Sequence, residues 1–537
     1  MIRLIGGEMP GWTENRPAAG GALAGYLADQ IPAGLSVLVA GPHEPELIDA
    51  LAARTPVTCL VRSQPEADEL DARGRDVLCG TLAKLTEADR WDVVVAFDGL
   101  DRLCSVEGPQ FDWAESLAAL KRALRPGGTL LLTVENELGV HRLVDPSSPT
   151  AAQTDDAWRP LGEFDDTRPG TPARLADHLA AEGLTVDWLG AVWPAPASPT
   201  IVATPEALQT GPAEALGALI ASAVGTAYTD RSVLSDPRRL AAAAARRGLG
   251  AELAAAWLTI AHLAPGVGAA FDLPAVLLSL PPAPGGPAPE LPGPSPGPSP
   301  GPSRSPSPSP AAGGAAVVAV SPGPDGEWGR QVLREAPGRD LTALTGPMPT
   351  GRLVEELLLG ACLRHDLPTV RRLLTGWIAA LPDATADNVL VDGDAFARLD
   401  PSAPARTDVL RRFAGTLLTG GYAHPWPAAT DLQTLTAILH GAAGLPGDVP
   451  AVEPGEDPPP FDSRREHEEQ LRALHRQLDD AAARAQWYER ELAKREAELR
   501  KSRAQISAFS GNFGYRVAKL GYGVARKARN RLRKGHR

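Results

Sequence analysis

Hydrophobic positions in the first part of the chain come in short continuous runs separated by helical patterns. Ser36 to Ala40 (SVLVA) is an apolar run that stops at Gly41. From Glu44 to Arg54 the apolar residues Leu47, Ile48 and Leu51 share one face, which predicts a helix. Val57 to Val61 (VTCLV), Trp91 to Phe97 (WDVVVAF) and Thr129 to Val134 (TLLLTV) are further strand-like runs. The helix before the last of them stops at Arg125-Pro126-Gly127-Gly128. Apolar strands that do not alternate with polar residues, interleaved with helices, predict a parallel sheet covered on both faces, a doubly wound α/β domain. Ligands of such sheets bind beyond the carboxyl ends of the strands. Those ends fall at Gly41, Arg62, Asp98 and Glu135-Asn136.

Proline and glycine divide the rest. Residues 281–312 are rich in Pro, Gly and Ser and cannot form a core, so they read as a linker. A shorter break covers 450–462. The expected organisation is an α/β domain over 1–205, a helical extension over 206–280, the linker, a mostly helical block over 313–449, and a charged C-terminal region. In that region Leu471, Leu474, Leu478, Ala481, Ala485, Tyr488, Leu492, Arg495, Leu499, Ser502, Ile506 and Phe509 repeat at 3-4 spacing. This heptad pattern predicts a coiled coil over 463–510, and with it a homo-oligomer. In the tail, 511–537, Phe513, Val517, Leu520 and Val524 share a helical face flanked by Arg516, Lys519, Arg526 and Lys527. A basic helix with an apolar stripe suits an anionic membrane surface, although glycines 514, 521 and 523 weaken it.

Charge sharpens this division. The net charge is −12, which argues against nucleic acid as a partner of the whole chain. Residues 499–537 carry twelve Lys or Arg and no acid, so the remainder is at −24. An acidic body with a basic tail fits a tail that seeks a separate anionic surface. Cys59, Cys79, Cys104 and Cys362 have no metal-site spacing and read as reduced, buried thiols. The N-terminus has no basic-then-apolar signal, and no apolar run reaches the ~18 residues of a membrane span. A cytoplasmic location, peripheral at the inner face of the membrane, is the expectation.

The order of the pieces resembles class I S-adenosylmethionine-dependent methyltransferases, a Rossmann-like family. WDVVVAFDGLDRL resembles that family's fourth strand, and LKRALRPGGTLLLTVEN its leader helix, PGG turn and fifth strand. Val134-Glu135-Asn136 with Leu138-Gly139, and Trp193-Pro194 through Pro199-Thr200, resemble a narrower group fused to kinase-like domains in bacterial surface-polysaccharide synthesis. The resemblance implies S-adenosyl-L-methionine as cofactor, held near Gly41, Arg62, Ser63, Thr81 and Asp98. Catalytic candidates at the rim are Glu135, Asp98 and His141; a general base would serve a hydroxyl acceptor. The chain departs from the family at those places. The first loop, Ala40-Gly41-Pro42-His43-Glu44, has one glycine where the family has a glycine-rich turn. Arg62 stands where the family has a ribose-binding acid, and Thr81 where it has a third acid.

In the middle block, Asp383 and Asn388, then an apolar run, then Asp400 resemble the catalytic and metal-binding loops of kinase-like phosphotransferases. By that resemblance Asp383 would be the base, and Asn388 and Asp400 would hold a metal that bridges phosphates. No lysine stands between Lys121 and Lys494, and no glycine-rich phosphate loop precedes Asp383. The block therefore reads as an inactive, helical kinase-like remnant with no metal. Two functions follow from the whole. One is a methyltransferase acting on a saccharide or glycan-assembly intermediate at the membrane. The other is a non-catalytic pseudoenzyme scaffold that recruits glycan-assembly proteins.

Overall fold

The apolar runs become the centre of one large sheet in the computed structural model. It describes residues 1–14, 16–145, 165–228, 233–264, 271–281, 314–337, 339, 341–445, most of 474–505, and 513–534. The chain divides into two units, 1–465 and 466–537.

The parallel half of the sheet contains β1 (Ile2–Gly6), β2 (Val37–Ala40), β3 (Val57–Val61), β4 (Asp76–Gly80), β5 (Trp91–Ala96) and β6 (Leu124–Glu135), in the order β1-β4-β3-β2-β5-β6. From β2 the chain winds outward through β3 to β4, then returns to lay β5 on the other side of β2. The order reverses between β2 and β5, where a doubly wound sheet opens a crevice. Side chains alternate across the buried strands. Val37, Val39, Cys59, Val61, Val93 and Val95 face α1 (Gly21–Asp29), α2 (Pro45–Ala52) and α3 (Gln64–Ala72). Leu38, Leu60, Val94 and Ala96 face α4 (Trp113–Arg122) and the other helices of that side. A capping box starts α4: Asp112 accepts from the Glu115 amide at 2.7 Å while Glu115 accepts from that of Asp112 at 3.1 Å.

The sheet does not end with the parallel strands. β7 (Leu184–Trp193), β8 (Ile201–Ala203), β9 (Ala256–Leu263), β10 (Val276–Leu280), β11 (Ala316–Pro322), β12 (Trp328–Arg334) and β13 (Gly346–Pro347) extend it in the order β6-β9-β7-β8-β10-β11-β12-β13. β9 is antiparallel to both β6 and β7 and lies between them. Residues 206–280 are therefore helical only in part. After α5 (Val140–Val144) and α6 (Pro172–Ala181), the helices α7 (Pro205–Thr210), α8 (Ala213–Ala227) and α9 (Pro237–Arg246) end before β9. β10 and β11 are antiparallel neighbours, so the sheet continues from one side of 281–312 to the other.

The remainder of the middle block has its own core. Helices α10 (Val354–Leu363), α11 (Leu367–Ala380), α12 (Val409–Thr419) and α13 (Leu432–Ala442) pack around Trp377 and Phe413. A small antiparallel sheet, β14 (Arg352–Leu353), β15 (Val389–Asp392) and β16 (Ala395–Arg398), lies against them. The block is thus not simply helical; its first strands belong to the large sheet.

In the second unit the described residues between 474 and 505 are helical, with Leu474, Leu478, Tyr488, Leu492 and Leu499 exposed. A separate tail helix covers Phe513–Lys534, and Val517, Leu520 and Val524 on it are exposed. Of the seam positions, Leu471, Ile506 and Phe509 lie outside the described residues. No helix among the described residues is long and apolar enough to cross a membrane.

Candidate active site

The crevice beyond β2 and β5 is crossed by residues 7–14 and 16–19, which form a strap over the carboxyl ends of the parallel strands. The strap's backbone is stitched to them in sequence. The Met9 amide donates to the Arg62 carbonyl at 2.8 Å, and Ala19 donates to Pro42 at 3.1 Å. The Ser63 hydroxyl donates to the Trp12 carbonyl at 2.9 Å. Gly7 packs so closely on Thr81 that a Cβ there would lie 2.7 Å from Thr81 Cγ2.

Beneath the strap the crevice is filled with paired charge. Arg62, 2 % exposed, donates to both carboxylate oxygens of Glu14 at 2.7 and 3.2 Å and to the Cys104 carbonyl at 2.8 Å. Its guanidinium carbon sits 5.4 Å from the centre of the Trp12 ring. Arg102 forms a two-pronged pair with Asp98 and donates to the strap carbonyls of Arg16 and Pro17 at 3.0 and 2.8 Å. Gly41, at φ +90°, lets the backbone turn against Asp98: a Cβ there would meet Asp98 Oδ2 at 3.3 Å. Burial pushes the Asp98 carboxyl up, against the opposing pull of Arg102.

His43 occupies the switch point itself. Its Nδ1 lies 2.9 Å from the Gly41 carbonyl and must donate, while its Nε2 accepts from the Phe97 amide at 3.1 Å. Both nitrogens are assigned by their partners, so the ring is neutral, and burial holds its pKa down at about 4.

Glu135 and His141 come together at the end of β6. Glu135 accepts from Arg142 at 2.7 Å and from Arg16 at 3.1 Å, and His141 Nε2 is 3.3 Å away. Burial alone would raise the Glu135 carboxyl; the His141 hydrogen bond and the Arg16 and Arg142 charges outweigh it and hold the group well below the usual carboxylate range. A carboxylate so heavily bonded is a weak proton acceptor. His141 Nδ1 is buried, with no partner among the described residues. Asn136 is structural: its amide nitrogen donates to the Glu252 and Ala254 carbonyls at 2.6 and 2.8 Å, tying the end of β6 to the approach to β9.

The sequence candidates thus fall into two clusters, Gly41, Arg62, Ser63, Thr81 and Asp98 under the strap, and Glu135 with His141 at its rim. Sequence reasoning missed Trp12, Glu14, Arg16, His43 and Arg102. The polar-aromatic run Trp12-Thr13-Glu14-Asn15-Arg16 was the available signal, but it has no periodicity and no partner visible in one dimension. For S-adenosylmethionine the fit is poor while the strap is seated. The ribose place holds an arginine already paired to Glu14, the strap backbone presses on Thr81, and the Gly41 amide donates to Leu60 at 2.9 Å.

In the middle block Asn388 and Asp400 are brought together. Asn388 Oδ1 accepts from the Asp400 amide at 2.7 Å, and its Nδ2 donates to the Asp400 carbonyl at 3.0 Å. The Asp400 carboxylate accepts from Arg339 at 2.9 Å and from the Ser402 hydroxyl at 2.6 Å. Asp383 pairs instead with Arg398, whose hydrogen bond draws its pKa down. Both carboxylates are engaged by the chain itself. Among the described residues no group of three or more His, Cys, Asp or Glu is placed to hold a metal ion.

No protein-family model matches the chain, and no curated protein matches it. Solved structures similar to it include the CcbJ methyltransferase of Streptomyces caelestis, at 17 % identity over 47 % of this chain and 94 % of that one, TM-score 0.27. An S-adenosylmethionine-dependent methyltransferase of Mesorhizobium loti is 14 % identical over 45 % of this chain and 98 % of its own, TM-score 0.26. One from Geobacter sulfurreducens, in complex with S-adenosyl-L-homocysteine, is 16 % identical over 45 % of this chain and 91 % of its own, TM-score 0.23.

Proposed function

We propose that this chain keeps a methyltransferase-type α/β fold as a scaffold, with the crevice at its switch point refilled by its own side chains. The observation that carries this reading is the buried set His43, Arg62–Glu14 and Asp98–Arg102 under the strap. A cofactor would have to displace two ion pairs, each desolvated and each fixed by further hydrogen bonds. The scaffold would act as a homo-oligomer. The exposed stripe Leu474, Leu478, Tyr488, Leu492 and Leu499 supports that, since such a stripe needs a partner helix. The tail helix would rest on an anionic membrane surface at the cytoplasmic face, supported by its exposed Val517, Leu520 and Val524 among basic residues. Glycan-assembly proteins are the partners that the sequence resemblance implies. Calorimetric titration of the full-length protein with S-adenosylhomocysteine tests the central point: no saturable heat is expected, and a micromolar Kd would overturn it.

A second reading has one observation in its favour. Glu135 and His141 form a pair at the carboxyl end of β6, with His141 Nδ1 buried and without a partner among the described residues. In that reading the strap lifts, S-adenosylmethionine enters, and the chain methylates a saccharide hydroxyl near the membrane, its proton passing to the His141 ring. A variant that frees the strap, such as Glu14→Ala, would then bind S-adenosylhomocysteine where the wild type does not.

A further inference from the structure

Away from the crevice, α9 and the middle block enclose a cleft of about 780 Å³ that continues into a smaller one of about 200 Å³. The two share Arg239, Arg246, Arg352 and Glu356 as lining, so they form one concave surface. Arg247 at the end of α9 and Arg364 at the end of α10 complete a set of five arginines around it.

Two carboxylates also line the cleft, and both are already engaged. Glu356 accepts from Arg246 through both oxygens at 2.8 and 2.7 Å. Asp236 accepts from the Arg238 amide at 3.0 Å and from the Tyr422 hydroxyl. Arg352 reaches Glu214 only at 3.9 Å. Among the described residues Arg239, Arg247 and Arg364 have no carboxylate within ion-pair distance; Arg239 stacks on the Tyr422 ring at 5.4 Å. Arg239 lines both parts of the cleft, Arg247 the larger and Arg364 the smaller, where the Asp366 carboxylate also feels the Arg364 charge. The cleft keeps an excess of positive charge, which the low-dielectric surround concentrates.

The walls are fixed rather than incidental. Arg238 is buried behind them and pairs with Glu355 of α10 at 3.1 Å and with Asp236 at 3.3 Å. Tyr422, following α12, is held by Asp236. This network locks α9, α10 and the turn after α12 together, so the arginines are presented at set positions. One side of the cleft is apolar, with Val233, Leu240 and Ala243.

We propose that this cleft binds a soluble phosphorylated small molecule, its phosphate or diphosphate held by Arg239, Arg247 and Arg364 and its body against Tyr422 and Leu240. A guanidinium fork matches two phosphate oxygens at once, and an excess of positive charge suits a multiply charged anion better than one carboxylate. The size falls in the range of small-molecule sites, roughly 300–1,000 Å³, and the surface is concave, unlike the convex basic stripe of the tail.

Isothermal titration of the full-length protein with inorganic pyrophosphate tests this. Saturable binding that weakens as salt rises is expected. Arg247→Gln/Arg364→Gln should weaken it about tenfold or more, the worth of losing charge-assisted hydrogen bonds. Both side chains are exposed, so an unchanged melting temperature of the ligand-free variant confirms that the fold is intact. Arg122→Gln, on the surface of α4, should bind as wild type does. Absence of binding at millimolar pyrophosphate would overturn the proposal. So would a cleft variant that binds like wild type, which would place the anion on the basic tail. Phosphatidate vesicles should not displace pyrophosphate from the cleft; displacement would refute a soluble ligand.

Discussion

Replacing Glu14 by alanine removes one partner of a buried ion pair and leaves the other in place. Arg62 would keep the Cys104 carbonyl and the Trp12 face but lose two carboxylate oxygens. Breaking such a pair from one side costs about 3–5 kcal/mol when the orphaned charge stays buried. The molecule has a cheaper route. If the strap lifts, water reaches Arg62, and the loss is capped by the free energy that docks residues 7–14 and 16–19. The strap's hold includes the Met9, Ala19, Ser63 and Arg102 hydrogen bonds, each contributing about 1 kcal/mol net. Both routes therefore predict a loss of several kcal/mol in one observable or the other. Urea unfolding reads the global loss, and hydrogen exchange reads local release at the amides of Met9, Ala19 and Glu44, the last of which donates to the Ala19 carbonyl at 2.9 Å. A variant with wild-type stability and wild-type protection at all three amides would refute the account of the crevice as an ion-paired, desolvated core. Release of the strap with S-adenosylhomocysteine binding regained would favour the second reading; release without binding would favour the scaffold.

His43 predicts a pH dependence. Its folded pKa, about 4, lies below its usual value near 6.5, so the unfolded chain binds more protons between those two pH values. Stability from this group is complete above about pH 6.5 and is lost as pH falls through 4, by about 3 kcal/mol in all. His43→Leu should flatten that part of a stability-against-pH curve, and an unaltered slope would contradict the neutral assignment of the ring. In the second unit, deleting residues 463–510 should turn an oligomer into a monomer by light scattering; a full-length chain already monomeric at micromolar concentration would rule out the coiled coil. Leu520→Ser/Val524→Ser should weaken binding to anionic vesicles without changing charge, and binding equal to wild type would make the tail a plain polycation.

The strands at the heart of the sheet were legible because burial on both faces leaves them continuously apolar: VLVA, VTCLV and WDVVVA need no context to be read. β1 was missed because IRLIG is a partly exposed edge strand with mixed character. β9 was hidden by its neighbourhood. AWLTIAHL follows the alanine-rich α9 and reads as more of the same, yet non-local pairing with β6 and β7 makes it a central strand. The candidate site was half legible for a similar reason. The carboxyl ends of the strands located Gly41, Arg62 and Asp98, since strand ends follow from strand positions. What fills the space between them depends on Glu14 meeting Arg62 and on Arg16 meeting Glu135, contacts that no local pattern encodes.

The neighbouring positions of β10 and β11 change what the proline-rich stretch is. In sequence it looks like a tether between two bodies; in space its ends are the two arms of a hairpin, paired from Val276–Val320 to Leu280–Ala316. The halves on either side are further joined by Arg238–Glu355 and Arg246–Glu356. The covalent connection at 281–312 is then nearly redundant. Loop-closure entropy varies only logarithmically with length, so trimming the stretch to a third would change stability by about 1 kcal/mol. Severing it would leave two polypeptides still sharing one sheet. A gene split at this point should therefore encode a two-subunit protein with the same fold, the large sheet being shared between the two subunits.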